Sequence, residues 1–260
     1  MAEEIISLDS WLSTPLGQYL LAWEQQRINK AVEDIFGYHA LQLGLPSLPA
    51  LENNRMPNRW LVQDHLPGQQ PTQPSALVSR FDALPFAEQS IDLVVLPHTL
   101  DLAADPHATL REVSRVLVPE GRVVITCLNP TSLWGLRQRR TRFLQRLGAS
   151  SHFLPLGAGS LIGYWRLRDW LRLLGLEVAT GSFGCYRPAF QTQKWLDRTA
   201  WMESAGDRWW PILGAAFQIT AIKRIKGMRL IGPQWKTEQN KNAKGAVATQ
   251  RMHQEKQQNQ

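Results

Sequence analysis

Cysteine is nearly missing from this sequence: Cys127 and Cys185 are the two in 260 residues. Two thiols build no disulfide framework, and by themselves no four-ligand zinc site, so a reduced, cytoplasmic protein is expected. Long apolar runs are missing as well. Stretches such as Ile91–Pro97 fall far short of the roughly 18–20 residues that a membrane span needs, so no transmembrane segment is expected. The opening MAEEIISLDS is acidic and lacks the apolar core of a secretory signal. No internal repeat is visible. What is present is 43% hydrophobic residues, enough for a sizeable core, which excludes a wholly disordered chain. The length suits one large domain, or one domain with appendages.

The net charge of +7 is unevenly spread. From Gly227 onward six cations face Glu238 and Glu255, so this segment carries net +4. After Trp235 the chain is mostly Gln, Asn, Lys, Ala and Thr, with no periodic apolar face. Such a stretch cannot bury enough surface to offset its ordering entropy, so residues 236–260 read as a disordered basic tail following a domain at 1–235. The tail is either a solubilising appendage or a weak contact for nucleic acid or anionic lipid. A second cluster, Arg137, Arg139, Arg140, Arg142 and Arg146, falls within ten residues. On a helix it is either a solvated face or a cradle for an anionic substrate, because Arg forks pair well with phosphate and carboxylate.

Periodicity gives the elements. Thr14-Pro15 pairs a hydroxyl N-cap with proline at the first helical position, and helical spacing continues to Gly37. His39–Leu45 and Trp60–Gln63 read as strands, with at most a short helix around Leu48–Asn54 and a loop at His65–Pro74. Ala76–Phe81 is β-prone. Ile91–Leu96 is the apolar run of a strand buried on both faces. Asp105-Pro106 opens a helix that closes at Pro119-Glu120-Gly121, and Arg122–Leu128 is the next strand. Strand, helix, strand with short links is a βαβ unit, hence a parallel sheet with right-handed crossover. Downstream, Ser160–Leu174 and Ala189–Ser204 read as helices, and Glu177–Phe183 and Ala215–Lys223 as strands. Six tryptophans, from Trp165 to Trp210, crowd the C-terminal third; they are core, or else an aromatic pocket or interfacial patch.

Read together, Asp82–Asn129 carries a run of ordered landmarks: Asp82-Ala83-Leu84-Pro85-Phe86, Ile91-Asp92, Asp105-Pro106, Arg115-Val116-Leu117-Val118-Pro119-Glu120-Gly121 and Val123–Thr126. This resembles the downstream half of class I S-adenosylmethionine-dependent methyltransferases. With TPLGQYL near the start and NPTSLWGLR after the strand, the chain is similar to their YafS-type bacterial branch. The resemblance implies an α/β fold: a doubly wound, Rossmann-like, seven-stranded, mostly parallel sheet with helices on both faces, the last strand antiparallel, and the helix 14–37 as an N-terminal extension. It implies S-adenosylmethionine across the carboxyl ends of the strands. Asp82 and Ala83 would lie beside the adenine, Asp64 would take the ribose hydroxyls, and Leu96 and Pro97 would face the methionine end. In the first motif Gln42 stands where the family has an acid, Gly44 is the first glycine, and Pro46 replaces the second.

The implied activity is methyl transfer from S-adenosylmethionine to a small, anionic or amphipathic acceptor. Methyl transfer from a sulfonium is an in-line displacement, so alignment does most of the work. A base helps when the acceptor is a hydroxyl or a protonated amine, and His98 at the end of the buried strand is the candidate. Its other reading is a hydrogen bond to a loop carbonyl. Tyr19, Asn129, Arg137 and Arg140 are the expected acceptor contacts. The alternative function is a binding or regulatory module that keeps the fold without the catalysis.

Overall fold

The computed structural model describes residues 8–64, 76–146, 154 and 161–224. Residues 1–225 form one compact unit. The expected tail and the loop His65–Pro74 lie outside the described residues.

Two helices, α1 (Leu8–Leu12) and α2 (Pro15–Val32), precede β1 (His39–Leu43), β2 (Asn58–Gln63), β3 (Ala76–Val78) and β4 (Ile91–Pro97). Then come α3 (Thr99–Leu102), α4 (Pro106–Val116), β5 (Leu117–Leu128), α5 (Leu133–Arg146) and α6 (Tyr164–Leu173). β6 (Leu176–Gly184), α7 (Gln193–Arg198), α8 (Trp201–Trp209), a 3-10 turn (Pro211–Leu213) and β7 (Ala216–Lys223) complete the described chain. The seven strands lie in the order β3-β2-β1-β4-β5-β7-β6. β1 to β5 pair in parallel, and β7 runs antiparallel to both its neighbours. The doubly wound sheet with an antiparallel last strand is the expected one. Its order reverses between β1 and β4, which places the crevice for a ligand at their carboxyl ends.

Alternation along the strands builds two cores. Ala40, Leu93, Val95, Val124 and Leu128 face α1, α2 and the segment after β1. Leu41, Leu43, Val94, Leu96, Val123 and Ile125 face α4 and α6 on the other side. Local chemistry sets the ends. Thr14 Oγ1 accepts from Gly17 N–H at 3.2 Å, and Asp105 accepts from His107 and Ala108 at 2.9 and 3.0 Å, so both hydroxyl or acid caps followed by proline start helices. Asp92 accepts from the amides of Tyr38 and His39 at 2.9 Å each and so fixes where β1 begins.

Three expected elements differ. α2 ends at Val32 rather than reaching Gly37, because Asn54 donates to the carbonyls of Val32 (2.8 Å) and Ile35 (3.2 Å) and takes over as their cap. Leu48–Asn54 forms turns, not a helix. Ala189–Ser204 is two short helices, broken where the Thr199 hydroxyl bonds back to the Trp195 and Leu196 carbonyls.

One close approach joins α2 to the sheet edge. The Trp23 indole lies against Gly184 at the end of β6, where an added Cβ would overlap the ring. Gly184→Ala is expected to cost about 1–3 kcal/mol by overpacking, read as a lower urea midpoint with unchanged slope.

Candidate functional site at the carboxyl edge of the sheet

β4 ends at Pro97, and the next residue, His98, adopts a left-handed backbone (φ 52°, ψ 8°) that only glycine enters without strain. Backbone strain at such a place costs about 1–3 kcal/mol and persists only where the surroundings hold it. Here His98 N–H donates to the Thr126 carbonyl at 3.0 Å, and its carbonyl receives Asp101 and Leu102 N–H at 3.1 and 3.2 Å. Its imidazole lies between two carboxylates. Nδ1 is 3.0 Å from Asp101 Oδ2, and Nε2 is 2.6 Å from Glu24 Oε1, at an angle bent away from an ideal hydrogen bond. All three side chains are buried. Asp101 Oδ2 also accepts the Leu128 amide at 2.9 Å, so the same acid ties the ends of β4 and β5 together.

Burial by itself would lower the histidine pKa. The Glu24 charge beside the ring and the hydrogen bond that the ring donates to Asp101 overcome it and push the value up to about 10. His98 is therefore an imidazolium at neutral pH, with both ring nitrogens facing acids. A general base needs a free lone pair. His98, the expected base, has both ring nitrogens facing carboxylates in this structure and clamps α2 onto the end of β4. Glu24 was missed in the sequence, although it stands on the apolar stripe Leu20, Trp23, Ile28 of an amphipathic helix, where an acid signals a buried partner. Asp101, three residues after His98, reads as a loop acid in sequence and is the other half of the clamp.

Gln42 is also enclosed. Its Nε2 is shared among the carbonyls of Gly44, Leu45 and Leu48 at 3.1, 2.9 and 2.8 Å, and its Oε1 accepts Ala50 N–H at 3.1 Å. It staples the turn after β1. That turn holds Gly44 (φ 75°) and Leu45 (φ 46°) in succession in the left-handed region, followed by Pro46, which has no N–H to offer. Gly44 N–H donates to Val62 O at 2.7 Å, and Thr99 Oγ1 donates to Leu43 O at 2.5 Å. Leu96 is core, and Pro97 is buried.

The other carboxylates behave differently. Arg80 grips Asp82 through two bonds of 2.9 and 2.6 Å, and these hold its carboxyl below the usual carboxylate range. Asp64, Arg80, Phe81, Asp82, Asp105 and Thr109 line one cavity of about 90 Å³. Ala83 is exposed on the same turn. This turn is fastened to α4: Glu112 accepts Leu84 N–H at 2.9 Å, and Arg115 donates to Phe86 O at 2.9 Å while pairing with Glu112. The landmarks Asp82–Phe86 and Arg115 thus meet in space.

The expected acceptor contacts fall into two groups. The Tyr19 hydroxyl bonds to Glu203, and burial, with Cys185 and Glu203 nearby, pushes its phenol well up. Asn129 is buried, donating to the carbonyls of Ile212 (2.7 Å) and Gly214 (2.9 Å). Arg137 bonds to the Ala189 carbonyl, and Arg140 is exposed on α5. Tyr19, Asn129 and Arg137 therefore serve the packing of α2, α5 and the 187–214 segment. Around them the surface is apolar and basic: Leu136, Phe143, Trp195, Trp201 and Trp209 are all more than half exposed.

With this geometry in hand, comparison with known proteins is informative. Residues 58–125 match the family model described as a methyltransferase domain. The chain is 29% identical over 180 residues to the uncharacterized protein YafS of Escherichia coli (strain K12), covering 69% of this chain and 70% of that one. Among solved structures it is similar to a SAM-dependent methyltransferase of Thermotoga maritima, a possible histamine N-methyltransferase, at 14% identity. That likeness covers 80% of this chain and 91% of the other, with a TM-score of 0.57. It is also similar to a SAM-dependent methyltransferase of Archaeoglobus fulgidus, at 15% identity, 78% and 94% coverage and a TM-score of 0.53. At these identities the structural likeness carries the fold.

The residues fit the adenosine half of S-adenosylmethionine by chemistry. Asp64 and Asp82 are acceptors for hydroxyl and amino groups, and they share a cavity with the Phe81 ring. At about 90 Å³ that cavity is smaller than the roughly 300–1000 Å³ of ordinary ligand clefts. Toward the methionine half, Gln42, His98 and Thr99 are all held by protein partners.

The clamp has a pH signature. A folded pKa of about 10 against about 6.5 unfolded means its contribution is fully present below pH 6.5 and fades as pH rises through 10. His98→Gln leaves Glu24 and Asp101 buried without their cation and is expected to cost about 3–5 kcal/mol at pH 7. It should also flatten the alkaline fall of stability, measured by urea unfolding from pH 7 to 10. An unchanged alkaline slope in the variant would show that His98 is not the titrating group.

Proposed function

We propose that this chain, which has the class I S-adenosylmethionine-dependent methyltransferase fold and a matching methyltransferase domain stretch, transfers a methyl group to an amphipathic or anionic acceptor. One observation carries the reading: Asp64, just past β2, and Asp82, in the turn after β3, share one cavity beside the point where the strand order reverses. When bound, S-adenosylmethionine supplies an activated methyl group on a sulfonium.

The chain's own residues have distinct tasks. Asp64 accepts from ribose hydroxyls, Asp82 from the adenine amino group, and the Phe81 ring excludes water from that side. Ala83 contributes its backbone beside Asp82. The buried acids of the clamp outnumber its cation by one, so Glu24, His98 and Asp101 leave a negative potential at the end of β4 that favours a neighbouring positive centre. Among the described residues at this edge, His98 has both ring nitrogens facing carboxylates and is not free to take a proton from the acceptor. The chemistry this supports is transfer to a nucleophile that is already deprotonated, aligned by proximity rather than by a base. The exposed tryptophans with Arg139 and Arg140 of α5 form the acceptor side, a surface suited to an anionic head on an apolar body.

A second reading is a methyltransferase-like binding module, and the commitment of Gln42 together with Pro46 favours it. Calorimetric titration separates the two. The methyltransferase reading expects saturable binding of S-adenosylmethionine, with adenosine retaining most of the affinity. Asp64→Asn or Asp82→Asn is expected to weaken both at least about tenfold without unfolding the protein, the scale of one lost hydrogen bond to a charged group. No heat up to millimolar cofactor would establish the binding-module reading instead.

A further inference from the structure

On the α2 face of the sheet a groove runs between the last turns of α2 and strands β5, β7 and β6, from the level of Arg122 to that of Thr126, the partner of Gln218. It encloses about 330 Å³, within the roughly 300–1000 Å³ typical of small-molecule sites. Arg27 and Lys30 come from α2, and Arg122 rises from β5. Asp34 is the one acid among the lining residues, so the lining carries net +2. Arg27 is steadied by the Trp23 ring, its guanidinium carbon 5.9 Å from the centroid. Neither Lys30 nor Arg122 has a carboxylate within ion-pairing distance among the described residues.

The floor holds a second, independent sign. Gln218 is only 5% exposed and lines this groove, and its Nε2 is buried with no hydrogen-bond partner. An unmet buried donor costs about 1–3 kcal/mol, so such a group is normally matched by an acceptor. Three cations around an unmet amide donor, with the Ser182 hydroxyl beside them and Asp34 as the one carboxylate, form a donor-rich lining. That is the complement of a group with several acceptor oxygens and more than one negative charge.

We propose that this groove binds a phosphate-bearing small molecule. The groove shares no lining residue with the cavity of Asp64 and Asp82, although Gln218 at its floor pairs with Thr126, level with Pro97. The proposal therefore stands whether or not the chain transfers methyl groups. The three cations take the phosphate oxygens from the open side, Gln218 donates from below, and Asp34 at the rim is left for a hydroxyl of the ligand body.

Titration of the full-length chain with inorganic pyrophosphate at fixed ionic strength tests it. A saturable one-to-one isotherm is expected, weakened at least about tenfold in Lys30→Gln/Arg122→Gln, the scale of losing charge-assisted hydrogen bonds. Arg172→Gln/Arg208→Gln makes the same charge change at exposed positions elsewhere and should leave the affinity within about twofold. Ser182→Glu, which puts a like charge into the groove, is a second route to the same loss should the double variant fail to fold. Absence of saturation, or equal weakening by both double variants, would overturn the proposal. So would binding to phosphatidylglycerol vesicles that pyrophosphate does not displace, since the anion recognised would then be a membrane surface.

Discussion

A buried cation between two buried acids holds the carboxyl edge of this molecule together. Taking charges out of water is expensive, and an ion pair offsets that cost only where geometry and further hydrogen bonds are good. His98 meets the condition by accepting a left-handed backbone, which turns its ring away from the line of β4 and into the space beneath α2. Asp101 reaches back across α3 to the ring and the Leu128 amide, so one acid fixes both β4 and β5. Glu24 brings the N-terminal helix to the same point. α2, which precedes the sheet in the chain, is thereby anchored at the centre of the edge where ligands of this fold bind.

That anchoring has a consequence for the chemistry. The space a substrate-facing histidine would need is closed by Glu24, and the turn after β1 is drawn inward by Gln42, whose amide holds three carbonyls of that turn. What stays accessible is the end of β2 and β3, where Asp64, Arg80 and Asp82 meet solvent, and the apolar, basic surface carried by α5, α7 and α8. The two halves of the carboxyl edge are therefore unlike. One is a sealed electrostatic joint, and the other is a shallow acidic pocket whose guanidinium pairs with Asp82.

Much of this fold is legible along the chain. The caps at Thr14 and Asp105, each followed by proline, both start helices, and the apolar run Ile91–Leu96 is the central strand, because these signals act within a few residues of themselves. The Asp82–Phe86 turn and Arg115 resemble a family pattern for a physical reason: they touch, through Glu112 and the carbonyls of Leu84 and Phe86. The missed features are those that depend on distant partners. Asn54 stops α2 from more than twenty residues downstream, Glu24 and His98 meet across 74 positions, and Glu203 takes the Tyr19 hydroxyl from the far end of the domain. A histidine at a strand end is chemically ambiguous until the residue facing it is known. Here two carboxylates, Glu24 and Asp101, face it.

The protonation state of His98 is where this account can be tested most directly. Nitrogen-15 spectroscopy of histidine-labelled protein at pH 8 distinguishes a neutral ring, with one pyrrole-like and one pyridine-like nitrogen, from an imidazolium with two alike. The account predicts one of the six histidines as an imidazolium at pH 8, lost in His98→Gln and titrating only near pH 10. A neutral His98 at pH 8, with one unprotonated nitrogen, would contradict the clamp and return this residue to candidacy as the base.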